Sequence, residues 1–374
     1  MIDTQAMCEE FCELVRVDSP SLQEAEIIRL LRAKLTEMGI GSQIDDAGAQ
    51  LGGEAGNLIA HVPGVEGAPT VLVNAHVDTV QPGCGISPQV DGTCIRTDGT
   101  TVLGGDDKAG CTIILALLRH LLDEDIAHPP LEIVFTVAEE IGLCGAYALD
   151  HDRLDSEMGY VLDGGRTMGT ITNSAPSAYR MSWNIHGRAA HAGVCPENGI
   201  SAIRIAAEAI AEMPLGRLDE ITTANIGIVE AGKAANVVPP LAYVRGETRS
   251  HDAEKLEKQK DTMVNAFEEA ARRHGGEVEA DVRLNYRSFE IDRDEPVLDY
   301  AWRACEKLGF DPKIERGGGG SDANVFNEHG IPSVILATGP AEVHTVDEWL
   351  DAERMAESAR WLTATLGIIA AEAE

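Results

Sequence analysis

Residues 103–142 read LGGDDKAGCTIILALLRHLLDEDIAHPPLEIVFTVAEEIG. A glycine turn opens a helix: residues 108–122 space their apolar side chains at the helical period. Residues 131–137 then form a continuous apolar run, the pattern of a buried strand, and the run ends on two adjacent carboxylates, Glu139 and Glu140. Working outward, two more strand-like runs precede this unit, 57–62 and 70–75, and a short one follows at 159–162. Strands alternating with helices predict an α/β sheet with helices on both faces. Upstream, residues 5–39 read as amphipathic helix, turn, helix, with Ser21 and Glu24 spaced as a capping box for the second helix. Residues 83–107 are rich in Gly and Asp and carry no clear period.

The texture changes near residue 177. Strand 179–186, helix 200–212, strands 224–230 and 241–250, helix 255–274 and strand 277–286 follow in turn. That order, β-α-β-β-α-β, is the order of a ferredoxin-like α+β sandwich. After about residue 290 the α/β texture returns: helix 296–308, the glycine run 317–320, strand 333–337 and a final helix 350–371. The chain therefore predicts one α/β domain, residues 1–175 and 290–374, a mixed sheet flanked by helices. It is interrupted by a smaller inserted domain, residues 176–289. A length of 374 residues suits two domains and a real cleft.

Composition narrows the function classes. The net charge of −32 repels phosphate backbones and anionic membranes, and only 4% of residues are aromatic, too few for stacking platforms. No nucleic-acid or membrane partner is expected. The charge reads as a well-solvated acidic surface. A second reading is adaptation to high salt, since Lys is scarce beside Arg; it predicts a melting temperature that rises in molar salt, and an unchanged value overturns it. Eight Cys at 8, 12, 84, 94, 111, 144, 195 and 305 form no Cys-x-x-Cys pair, and several sit in apolar runs. A reducing cytoplasm fits. Residues 1–10 lack the apolar core of a signal peptide, and no run approaches the roughly 20 apolar residues of a membrane span.

Acidic and imidazole groups recur where strands end. His76-Val77-Asp78-Thr79 closes one apolar run, and alternation puts His76 and Asp78 on one side, so that one can bind a metal while the other orients it. Gly104-Gly105-Asp106-Asp107-Lys108 opens the helix, Glu139-Glu140 ends the 131–137 strand, Asp163-Gly164-Gly165 ends another, and His344-Thr345 follows the last. Alone, an Asp-Gly-Gly is usually a turn and a Glu-Glu usually a solvated end. Together at the carboxyl edge of one open sheet, where ligands collect, they compose a site for two divalent metals.

These stretches resemble the M20 family of metallopeptidases over nearly the whole chain. His76-Val-Asp78-Thr, Gly-Gly-Asp106-Asp107-Lys108-Ala-Gly, Glu139-Glu140-Ile-Gly, Asp163-Gly-Gly and His344-Thr carry the resemblance, in that order. Asp-Asp-Lys-Ala-Gly, Glu-Glu-Ile-Gly and Asp-Gly-Gly look most like the peptidase T branch, the tripeptide aminopeptidases. The deacetylase branches usually read Ala-Asp-Met-Lys-Gly at the second motif. The resemblance implies a zinc-peptidase-type catalytic domain with an inserted lid of the kind that pairs into a homodimer. It implies two divalent ions, zinc first, with manganese or cobalt as alternatives. His76, Asp106 and Asp163 would hold one and Asp106, Glu140 and His344 the other, with Asp106 bridging. Asp78 would orient His76, and Glu139 would be the general base on a metal-bridging water. The Asp106–Asp107 peptide would be cis.

In the inserted segment, His191 resembles the lid histidine that steadies the carbonyl oxygen in the transition state. Asn236 and Arg249 resemble substrate-binding residues; Arg249 suits a carboxylate, and Arg245 rivals it on the same strand face. Gly320 and Ser321, in Gly319-Gly320-Ser321-Asp322, offer backbone N–H groups to a substrate carboxylate, or simply turn the chain into a helix. Asp107 and Lys108 read as anchors of their loop.

The expected substrate is a short peptide, with release of the N-terminal residue of tripeptides. Two alternatives share the architecture: an M20 deacylase or carboxypeptidase acting on N-acyl amino acids, and a non-catalytic metal-binding homologue. The intact Glu139 speaks against the second. Serine or cysteine hydrolysis has little support, because no Gly-x-Ser-x-Gly elbow occurs and no Cys sits in an obvious activated setting.

Overall fold

Helix Gly105–Asp123 shows how the sequence builds the larger unit. Its Ile113, Ile114, Leu115, Leu117 and Leu118 are fully buried, so it packs as an interior rod rather than as a surface helix. A Cβ at Gly110 would fall 2.3 Å from the carbonyl oxygen of Leu162, so only glycine lets the helix lie this close to strand Met158–Gly164. Asp106 and Asp107 depart from helical backbone angles and the peptide between them is cis, so the regular helix starts at Lys108. The computed structural model describes residues 2–373.

The chain divides into two compact units, Met1–Ala175 with Glu290–Glu374, and Pro176–Phe289. In the first, the central sheet runs Ser42–Ile44, Leu58–Val62, Leu131–Thr136, Val71–His76, Met158–Gly164, Ser333–Ala337, Thr170–Ala175, with Lys313–Arg316 beside the last. Leu131–Thr136, Val71–His76, Met158–Gly164 and Ser333–Ala337 are mutually parallel, and antiparallel strands flank them on both sides. Every parallel strand therefore delivers its carboxyl end to one edge of the sheet. The central strands Leu131–Thr136 and Val71–His76 are buried throughout, which explains their unbroken apolar runs. Helices Thr4–Val15, Gly105–Asp123, Pro296–Lys307 and Ala352–Ala373 pack on one another as a layer, and Ala47–Leu51, Cys144–Ala148 and Asp322–Glu328 form a second group. Among the described residues no helix is long and apolar enough to cross a membrane.

The Pro176–Phe289 unit is an antiparallel sheet in the order Gly216–Arg217, Thr222–Ala231, Leu241–Ser250, Ser177–His186, Glu277–Tyr286. Helices Ala202–Glu212 and Ala253–His274 cover it, with Trp183 stacked on Phe267 at 4.4 Å between ring centroids in its core.

The structure departs from the sequence reading at several places. Glu24 is the cap residue of helix Ala25–Glu37 but makes no side-chain cap bond, and Ser21 donates to Asp78 instead, so the Ser21–Glu24 spacing is not a capping box. The stretch read as featureless contributes Gln89–Asp91 and Cys94–Arg96 to a small sheet with Trp349–Asp351 and Pro340–Ala341. Strands of two or three residues are too short to show a period. For the same reason the last helix begins at Ala352, after strand Trp349–Asp351.

Candidate active site

His76 is the last residue of its strand and is buried. Its Nδ1 lies 3.0 Å from the backbone oxygen of Asp78 and 3.4 Å from Asp78 Oδ1, which fixes the ring and aims Nε2 outward. Nε2 meets Asp106 Oδ1 at 3.0 Å. The other oxygen of the same carboxylate, Oδ2, lies 3.0 Å from His344 Nε2, and that nitrogen is 3.2 Å from Glu140 Oε1. Asp106 thus stands between the two imidazoles with one oxygen turned to each. Two donors on a tetrahedral zinc lie about 3.3 Å apart, so these spacings are those of a shared coordination shell.

Donor atoms of His76, Asp106 and Glu140 fall within 4.8 Å of one another, as do those of His76, Asp107 and Asp163. Asp107 enters this second group where the resemblance assigns Asp106. Its oxygens, however, accept the backbone N–H groups of His76 and Gly110, so it ties the loop to the strand. Lys108 is wholly buried and donates to Ser19 Oγ at 2.7 Å and Thr79 Oγ1 at 2.6 Å, which is the anchoring expected of it. Burial lowers its pKa to about 8.

The turn carrying Glu139 and Glu140 is held by two buried carboxylates. Glu24 Oε1 accepts from Ala138 N at 3.0 Å, Asp78 Oδ1 accepts from Glu139 N at 2.9 Å, and Asp78 Oδ2 accepts from Glu140 N at 3.2 Å. Three consecutive amides are thereby fixed around Ala138, whose φ of 54° is left-handed. Ser21 donates to Asp78 Oδ2 at 2.6 Å. Sequence reasoning missed Glu24, because its partner is more than a hundred residues away and leaves no local signal. Asp322 was missed too; it is buried, Thr136 donates to it, and burial raises it to about 6.

Negative charge at this place far exceeds the two imidazoles. Burial pushes Glu139 well above the usual carboxylate range, and the neighbouring charges of Asp163, Asp322 and Glu140 push it further. Asp163 is raised by burial and by Asp106, and Asp107 by burial and by Asp163. Asp106 is held low despite its burial, through hydrogen bonds with His344 and His76, and His344 is raised to about 10 by Asp106 and Glu140. Glu140 Oε1 is buried without a hydrogen bond of good geometry. A buried orphan oxygen amid crowded carboxylates and imidazoles calls for cations, and the mixed N and O donor set suits zinc, manganese or cobalt.

Of the remaining predicted residues, His191, Asn236 and Arg249 belong to the Pro176–Phe289 unit, and Gly320 and Ser321 to the larger unit, where the Ser321 side chain hydrogen-bonds Asp163. His191 is exposed in the Pro176–Phe289 unit, bridged to Val237, with its Nδ1 accepting from Gly193 N at 3.2 Å. Asn236 is exposed, and its carbonyl accepts from Ala192 N. Arg249 gives Nε and one Nη to Glu247 at 2.9 and 3.0 Å. Ser321 corrects one expectation: its N–H is buried and donates to Asn324 Oδ1 at 3.0 Å, so the amide caps the helix and is not open to a substrate carboxylate. Gly320 is partly exposed.

The family model of peptidase family M20/M25/M40 matches residues 72–367. The Bacillus subtilis protein YqjE is 42% identical over 98% of this chain and 99% of its own length. The crystal structure of the aminopeptidase PepT of Bacillus cereus ATCC 10987 superposes with a TM-score of 0.87 at 43% identity, covering 99% of each chain. A tripeptidase of Staphylococcus aureus superposes with a TM-score of 0.93 at 37% identity, covering 99% of this chain and all of its own. The chain belongs to peptidase family M20/M25/M40 and is a peptidase hydrolase.

Proposed function

We propose that the protein is a two-metal aminopeptidase that removes the N-terminal residue of short peptides, tripeptides first, in the cytoplasm. The observation that carries this reading is Asp106, whose two oxygens each meet a different imidazole at 3.0 Å. His76, Asp106 and Asp163 would hold one ion, and Asp106, Glu140 and His344 the other. When bound, such ions acidify water and polarise the scissile carbonyl. Glu139 takes a proton from the attacking water at its carboxylate and delivers it to the leaving amine. Its burial, and the fixing of its own amide by Asp78, keep that carboxylate in one place and poised to exchange a proton. His191, Asn236 and Arg249 are the candidates for substrate contact. Tripeptide preference draws on the S. aureus tripeptidase and the B. cereus aminopeptidase, which this chain resembles along nearly its whole length. The eight cysteines are free, which fits a reducing compartment.

The test is hydrolysis of a small panel after chelation, with zinc, manganese or cobalt added back. The panel holds a free tripeptide, a dipeptide, an N-blocked tripeptide and an N-acetyl amino acid. Metal-restored cleavage confined to the free-amine peptides is the expected result. Cleavage of the acetylated compound instead keeps the metal chemistry and overturns the substrate class.

A further inference from the structure

Glu348 has no part in the proposed reaction, yet its carboxylate accepts three backbone N–H groups close to the site. It is 2% exposed and lies four residues beyond His344 in sequence. Oε2 accepts from Leu103 N at 2.8 Å and Gly104 N at 2.9 Å, and Oε1 accepts from Asp106 N at 3.1 Å. Its partners are roughly 240 residues away in sequence and belong to the turn that presents Asp106. That turn is not self-supporting. Gly104 is left-handed at φ 75°, and Asp106 and Asp107 lie outside helical geometry. The amide groups here would otherwise be orphans of a helix start, buried away from water. The fit is close from the other side as well: a Cβ at Gly105 would lie 2.9 Å from Glu348 Oε1 and 3.1 Å from Pro340 Cβ.

We infer that Glu348 is a positioning residue that locks the Asp106 turn to the segment carrying His344, so that the bridging carboxylate and its second imidazole are set at a fixed separation before metal arrives. One carboxylate fixes two ligands from distant parts of the chain. It fixes Asp106 through that residue's own amide, and His344 through the short segment from 344 to 348. A hydrophobic or merely space-filling residue at 348 would leave two buried amides, of Leu103 and Gly104, and the partly buried amide of Asp106 unmatched. An amide side chain would match only part of them, because its NH2 faces donors.

This inference rests on the two-metal reading, and the experiment separates the two. Zinc binding by the full-length protein is measured by competition with a chromophoric chelator, well below the melting temperature of the metal-free protein. The wild type, Glu348→Gln and Gly105→Ala are compared. The expected result is two zinc ions per chain in the wild type and zinc affinity weakened about 10- to 100-fold in Glu348→Gln, the range for residues that orient metal ligands. Gly105→Ala, which presses a methyl group on the same carboxylate without removing it, is expected to weaken zinc in the same direction. A role confined to stability would lower the melting temperature of the metal-free variants and leave the zinc affinity of the folded protein unchanged, and that result overturns the inference. A wild type that binds no zinc in stoichiometric amount overturns the two-metal reading itself.

Discussion

Glu139→Ala is expected to lower kcat by about 10²- to 10⁴-fold, the contribution of a positioned general acid–base group. Zinc content and far-UV circular dichroism should match the wild type. The residue is suited to this separation of effects. Its backbone amide, not its side chain, carries the contact to Asp78, so truncation leaves the turn in place. Glu140, next along the chain, is the proposed ligand and keeps its own amide on the other oxygen of Asp78. Removing a carboxylate that burial and like charges hold well above the usual range relieves repulsion, so the variant should not lose stability. Glu139→Gln, close in shape but unable to accept the proton, should lose as much. The measurements are steady-state kinetics on a tripeptide and metal analysis of the same samples. Turnover near wild type in both variants removes Glu139 from the base role. Turnover lost together with zinc would make it a ligand instead.

The fold was legible where burial imposes a period. Strands Val71–His76 and Leu131–Thr136 lie in the interior of a parallel sheet and read as unbroken apolar runs. The helix after Asp107 and the α+β order of the inserted unit were equally plain. The metal-type residues were legible because chemistry at the carboxyl edge of a parallel sheet places them at strand ends, beside recognisable apolar segments. What escaped was long-range polar support. Ser21 and Glu24 satisfy a local capping rule in sequence, but the folded chain spends both on the turn around Ala138 and on Asp78. Ser321 looked like an open amide and is closed by Asn324 three residues on. Glu348 carries no motif at all; only the fold brings it against Leu103, Gly104 and Asp106. Nearby residues advertise themselves by spacing, whereas a side chain that braces a distant turn has no spacing to show.

Asp106→Ala should cost more zinc than any other single substitution, because Asp106 turns one carboxylate oxygen to each imidazole at 3.0 Å. Removing His344 leaves His76, Asp106 and Asp163 for one ion, so His344→Ala is expected to bind one zinc tightly. Removing Asp106 leaves His76 with Asp163 on one side and His344 with Glu140 on the other, two donors each and no bridge. Losing a ligand outright costs more than the 10- to 100-fold typical of its supporting partners, so zinc should bind Asp106→Ala over about 100-fold more weakly at both positions. Peptide hydrolysis should fall to background with it. The two variants together test the bridge rather than the mere presence of ligands. Isothermal titration with zinc should read two ions in the wild type, one in His344→Ala and no tight ion in Asp106→Ala. The metal-free melting temperature serves as the check on folding. If Asp106→Ala still binds one zinc as tightly as His344→Ala does, Asp106 serves a single ion, and the bridging carboxylate must be sought in Asp107, whose oxygens lie with those of His76 and Asp163 within 4.8 Å.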